Sequence, residues 1–230
     1  MNDDYPGKLP AVGNPTDRIV QESSRPAGPP DILLRLTMKS GAVNEFFPIL
    51  QQGFRVTARV GCALRKLLCE QFALGNDYVT DRITTIFLNG KATDDLDTAI
   101  IRDGATIALS AAMPGLVGAT MRRGGYYAAM RSGITYTADQ EGGENAIGSV
   151  RIKLFNMLLP ELGPDFLKRG VVLEAADMIE FLASRSGQFR QLCIEAFING
   201  TPVEPELPLG GDPFRNCRTV RLTVNFRGET

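Results

Sequence analysis

The residues that usually carry catalysis are largely missing from this chain. Among 230 residues there is no histidine. Histidine is the usual general base near neutral pH and the commonest metal ligand, so neither a Ser-His-Asp nor a Cys-His set can be built. No catalytic residue and no metal site is expected. The four cysteines, Cys62, Cys69, Cys193 and Cys217, include no Cys-x-x-Cys pair. Cys62 and Cys69 would lie about two helical turns apart, roughly 10 Å by helical rise, too far for a disulfide. Free thiols are the expectation, since a zinc site would need all four to converge from distant segments. Two arginine-glycine segments remain, Met121-Arg122-Arg123-Gly124-Gly125 and Arg227-Gly228, the latter followed by Glu229-Thr230.

The charge balance narrows the partners. Net charge is −1, so no global field draws the chain to nucleic acid or to an anionic membrane. No apolar run approaches the roughly 20 residues that span a bilayer, and the N-terminus, with Asp3, Asp4 and several prolines, lacks a signal-peptide core. A cytoplasmic protein without membrane contact is expected, with nucleic acid an improbable partner.

Alternation and spacing then assign the elements that would position any site. Hydrophobic content of 43% and charged content of 22% provide material for two small domains or one large one, and an internal repeat favours two. The phrase Phe87-Leu88-Asn89-Gly90 returns as Phe197-Ile198-Asn199-Gly200, and Asn-Gly suits a tight turn that needs positive φ. Residues 1–30, rich in proline, read as a disordered arm. In 31–111, Ile32, Leu34 and Leu36 alternate with polar neighbours, as do Val56, Ala58 and Val60; Gly53 suggests a loop returning the chain antiparallel between these strands. Leu64, Leu67, Leu68 and Phe72 mark a helix of three to four turns. Strands at Ile83–Leu88 and Ala105–Leu109 complete the unit. In 149–230 the same order recurs: Val150 to Leu154, Val171 to Leu173, a helix with Ala175, Met178, Ile179 and Leu182, Cys193 to Ile198, and Val220 to Phe226. Residues 112–148 form a connector and polar linker. The fold class is α+β, with one helix packed across one mixed sheet in each unit.

The order strand-strand-helix-strand-strand, twice, resembles the β-grasp fold of ubiquitin and of the sulfur carriers MoaD and ThiS. Leu154 to Gly163 looks like the first strand and loop of MoaD, and Asn199-Gly200, Val203, Pro205, Pro208-Leu209 and Gly211-Asp212 look like its turn and last-strand approach. Thr219 to Gly228 is similar to the last strand and Arg-Gly exit of ubiquitin. The resemblance implies a tandem ubiquitin-like modifier. An adenylating enzyme using ATP would activate Gly228 after a protease removes Glu229 and Thr230, and Gly228 would then be joined to target lysines. Glycine suits that role because an unhindered carbonyl must thread a narrow channel. The chain itself would hold no cofactor and would not be an enzyme. Arg227, Arg221, Arg151 and Lys153, with Thr223, would dock the activating enzyme. Gly124 and Gly125 are an alternative conjugation site, although use of them would require cutting the chain. Two other readings stand beside this one: a fused sulfur carrier for cofactor synthesis, and a binding scaffold that uses its sheet faces or its connector.

Overall fold

The computed structural model describes residues 32–136, 146–185, 187–205 and 212–228. The expected arm, most of the polar linker, Pro208-Leu209, Gly211 and the Glu229-Thr230 end lie outside these residues. The strands are β1 (Ile32–Lys39), β2 (Phe54–Val60), β3 (Thr85–Leu88), β4 (Lys91–Ala92), β5 (Thr106–Ser110), β6 (Ala146–Phe155), β7 (Val171–Glu174), β8 (Cys193–Ile198), β9 (Thr201–Val203) and β10 (Thr219–Arg227). The helices are α1 (Phe47–Gln52), α2 (Leu64–Lys66), α3 (Gly115–Met121), α4 (Leu158–Arg169), α5 (Ala175–Ala183) and α6 (Gly187–Leu192). None among the described residues is long and apolar enough to cross a membrane.

The strands join into one mixed sheet of ten, in the order β4-β3-β5-β6-β2-β7-β10-β1-β8-β9. The expected separation of segment 31–111 from segment 149–230 is not how the strands pair. β1 does not lie beside β2. It pairs parallel with β10, Ile32 opposite Val220 through Lys39 opposite Arg227, and antiparallel with β8. β6 conversely pairs antiparallel with β2 and parallel with β5. The polar linker also ends earlier than expected, because Ala146 to Gly148 already belong to β6 and face Val60 to Ala58.

The physical reason lies in the segments that leave β1 and β6. A hairpin loop at Gly53 would return the chain antiparallel, but β1 and β2 run in the same direction, as do β6 and β7. Parallel strands require a crossover, usually helical. A 3-10 turn (Ser40–Phe46) and α1 supply the first crossover, and α4 the second. Phe46, Ile49 and Leu50 lie buried at helical spacing, as do Leu158, Leu159, Leu162, Phe166 and Leu167. Gly163 lets the two crossovers touch, since a Cβ there would come within 2.8 Å of Leu50 Cδ1. The helix expected at 64–72 is shorter than its apolar stripe suggests: α2 runs directly into a single wide turn, Leu67–Gln71.

Each half of the sheet uses the same arrangement. In β4-β3-β5-β6-β2, β3 is antiparallel to β5, β5 parallel to β6, and β6 antiparallel to β2. In β9-β8-β1-β10-β7, the same pattern holds with β1 in the place of β5 and β10 in the place of β6. The Asn-Gly turns lock this equivalence. Asn89 (φ 51) accepts the Thr106 N–H on its Oδ1 at 2.9 Å and donates its own N–H to the Thr106 carbonyl at 2.8 Å. Asn199 (φ 50) makes the same pair with Leu33 of β1, at 2.8 and 2.9 Å.

The alternate side chains of the central strands, Leu34, Leu36, Ile152, Leu154, Leu222 and Val224, face one core under α1, α4 and α5. Phe46 packs on Phe181, Phe189 and Phe226 with ring centroids 5.7, 5.7 and 5.9 Å away. Phe166 meets Phe54 and Phe72, each at 5.2 Å. Both aromatic groups join residues from the two sequence segments. The fragment 146–230 alone would therefore expose β8 and β10 edges and lose the Phe46 contacts. It is expected to show a collapsed amide spectrum by NMR, whereas well-dispersed signals would mean that the two segments fold separately.

Candidate functional surfaces

Charge, aromatic rings and backbone ends meet at three places on this framework. The first is the sheet face opposite the helices. Register places Arg151 on β6 beside Arg55 on β2, Arg55 opposite Val172 on β7, and Val172 opposite Arg221 on β10. Adjacent strands lie about 4.8 Å apart, so the row Arg151-Arg55-Val172-Arg221 spans roughly 14 Å. Lys153 stands two residues along from Arg151. Arg35 on β1 lies over the Phe197 ring, 4.4 Å from its centroid. Two carboxylates interrupt this basic field. Glu174 pairs with Arg55 at 2.8 Å, and Glu195 accepts from the Thr37 hydroxyl at 3.0 Å with Arg227 Nη2 at 3.8 Å.

Arg151 and Arg221 also close the two helical crossovers. Arg151 Nη2 donates to the Gln52 and Gly53 carbonyls at 3.4 and 3.3 Å, and Arg221 Nη2 donates to the Arg169 carbonyl at 3.0 Å. A cation on the last carbonyls of a helix satisfies acceptors left without an intrahelical donor and opposes the negative end of the helix dipole. The residue ending each crossover is a glycine, Gly53 at φ 113 and Gly170 at φ 94. A Cβ on either would come within 2.8 Å of the covering arginine's Nε. Gly53→Ala and Gly170→Ala are each expected to lower stability by about 1–3 kcal/mol through the backbone conformation alone. Urea unfolding should show this, and replacing the overlying arginine as well should recover only the part due to the clash.

The second place is the end of β10. The strand is paired with β1 through Arg227, and Gly228 follows beyond the last pair. Arg227 is exposed, and a Cβ on Gly228 would meet nothing within 4 Å. The third is the connector. Here the Arg-Gly-Gly segment is held to the domain rather than presented. Arg123 donates through Nη2 to the Val79 and Thr80 carbonyls at 2.7 and 2.8 Å, and its N–H donates to Thr84 at 2.8 Å. Burial pulls the Arg123 pKa below its ordinary value, with nearby Arg65 acting in the same sense. Arg131, nearly fully buried, reaches Asp94 at 2.6 Å and the Thr120 carbonyl at 2.7 Å. Asp94 Oδ1 also accepts the Gly124 N–H at 3.2 Å, and the Gly125 N–H is taken by the Arg122 carbonyl.

Of the residues singled out in sequence, Arg151, Lys153, Arg221 and Thr223 share one sheet face. Arg227 and Gly228 stand at the end of β10, and Gly124 and Gly125 lie on the connector. The composition of that face was incomplete from sequence. Arg35 and Arg55 belong to it, yet alternation shows only that they point outward, and strand pairing decides whom they stand beside. None of the four cysteines forms a disulfide, and Cys62 is buried. Among the described residues, no group of His, Cys, Asp and Glu could hold a metal ion. Two hollows, one lined by Phe72, Leu74, Leu162 and Arg169 and one by Arg59, Cys62, Lys66 and Gln71, hold about 40 and 120 Å³. Both fall below the roughly 300 Å³ at which small-molecule sites usually begin.

One titratable cluster joins the two segments. The Tyr78 hydroxyl donates to Glu161 Oε2 at 2.6 Å, and Arg82 Nε lies 3.1 Å from both Glu161 oxygens. The Arg82 hydrogen bond, aided by Tyr78, holds the Glu161 carboxyl below its ordinary pKa, while burial and Glu161 push the Tyr78 phenol well above its own. Each group is occupied by the others, which suits a structural clasp. Because the folded carboxyl is the stronger acid, its contribution is full above the unfolded carboxylate range near pH 4.3 and is lost as pH falls through the lower folded value. Glu161→Gln should therefore show a shallower loss of stability on acidification than the native chain. The difference should be well under about 1 kcal/mol because the pair is partly open to solvent.

No protein-family model, curated protein or solved structure matches this chain.

Proposed function

We propose that this chain is acted on by partner proteins rather than being a catalyst, as a tandem ubiquitin-like modifier of β-grasp type whose conjugating residue is Gly228. The observation that carries this reading is the exit of β10. The strand, flanked by β7 as far as Leu222, stays paired with β1 up to Arg227, and an exposed glycine without steric neighbours follows. An adenylating partner must enclose the terminal carbonyl in a narrow channel, which a side chain next to it would obstruct. Removal of Glu229 and Thr230 would create that terminus. The connector glycines suit the role less well, since Asp94 and the Arg122 carbonyl already hold their N–H groups. The basic sheet face, with Arg221, Arg151 and Lys153 standing roughly 20 Å or more from Arg227 by strand rise, would meet an acidic surface on the activating enzyme.

The intact mass of the chain recovered from its native cells tests this. Loss of Glu229 and Thr230, together with larger species joined through Gly228, is expected, and Gly228→Ala should suppress the larger species at least tenfold without altering the fold. A full-length mass under all growth conditions, or an unchanged ladder in the variant, would overturn the assignment. An added sulfur on Gly228 would move the function to sulfur delivery. A second reading, a binding scaffold without tail activation, is favoured by one observation: the uncovered basic face lies across both halves of the sheet, including strands remote from β10.

A further inference from the structure

Ten large apolar side chains stand out as exposed among the described residues, and six lie in the connector: Leu116, Val117, Tyr126, Tyr127, Met130 and Ile134, from 42% to 92% exposed. α3 packs against the following 3-10 segment, Tyr126–Ile134, and Tyr126 and Tyr127 form an edge-to-face pair 5.1 Å apart. The buried Arg131, the Arg123 contacts with Val79 and Thr80, and the Tyr136 N–H on the Ala92 carbonyl at 2.8 Å hold this segment to the β3–β4 end of the sheet. An apolar surface mounted this firmly marks an interaction site.

We infer that this connector surface is the interface between two copies of the chain. Charge decides between the possible occupants. An anionic membrane or a nucleic acid needs several free cations. Here Arg123 and Arg131 are turned onto carbonyls and Asp94, leaving Arg122 as the exposed arginine of the stretch. A cationic partner would find no acidic residue anywhere in 112–136. An identical surface meets neither difficulty, because the apolar residues carry no charge to repel their own copies and Arg122 can stay at a solvated rim.

The area is also sufficient. With about 180 Å² for a large apolar side chain, the exposed fractions amount to roughly 700 Å² per copy. That approaches the ~800 Å² per partner of an ordinary stable interface. A two-fold arrangement would let each copy's Tyr126 and Met130 cover the other's.

Sedimentation velocity on the full chain, over about 1–100 μM, tests the inference independently of any chemistry at Gly228. A shift from 25.0 kDa to twice that mass is expected. The pair Tyr126→Ser and Met130→Ser should weaken the dimer at least tenfold while leaving circular dichroism and the thermal transition in place. Ile147→Ser, at an exposed apolar site outside the connector, should leave the dimer intact. A monomer throughout, a dimer indifferent to the connector pair, or a dimer dissolved by Ile147→Ser would overturn the inference. So would binding to phosphatidylcholine–phosphatidylserine vesicles that the connector pair abolishes, which would make this a membrane surface instead.

Discussion

β1 sits between β8 and β10, and the rest of the architecture depends on that placement. Its inward residues Leu34, Leu36 and Met38 are almost completely buried, each contributing about 1.5–3 kcal/mol relative to exposure. Both of its edges are satisfied by strands from the opposite end of the chain, more than 150 residues away in sequence. Without it, β8 and β10 would present open edges, and the Asn199 turn would lose the strand it clamps. β6 makes the reciprocal connection into the other half. The two sequence repeats are thus exchanged in space.

Exchange of strands dictates the crossovers, and the crossovers explain the arginines. Because β1 runs parallel to β2 and β6 to β7, each pair needs a helix to carry the chain back. Each of these helices ends in a left-handed glycine with carbonyls lacking intrahelical donors. Arg151 and Arg221 reach across the sheet to those carbonyls, and the glycines leave room for them. A basic residue that reads in sequence as a solvated strand position is therefore partly committed to closing a helix. Arg151 and Arg221 are only half-buried, so the same side chain helps to hold the fold and to charge the open face.

The connector and the tail divide the functional possibilities between them. Both contain an arginine followed by glycine, yet their surroundings differ. Around Gly124 and Gly125, Asp94, Thr84 and the Val79 and Thr80 carbonyls accept hydrogen bonds from Arg123, Gly124 and Arg131, so that segment is a fastened part of the domain with its apolar side chains displayed. Gly228 has no such surroundings. A short sequence motif acquires one use or the other from the contacts available to it.

Sequence patterning was enough to locate β1, β2, β3, β5, β6, β7, β8 and β10, the α5 stripe and both Asn-Gly turns, because alternation, helical spacing and positive-φ turn chemistry are local properties. It also determined the lack of any histidine chemistry and the outward direction of Arg55, Arg151 and Arg221. The buried stripes of α1 and α4 were present as Phe46-Ile49-Leu50 and Leu158-Leu162-Phe166, but Pro160, Gly163 and Pro164 argue locally against a helix, and only packing between the crossovers outweighs them. Tertiary structure alone decided that β1 joins β10 rather than β2, and that Arg151 stands beside Arg55. Strand pairing is a choice among edges of nearly equal local merit, settled by which arrangement buries both segments' apolar faces in one core.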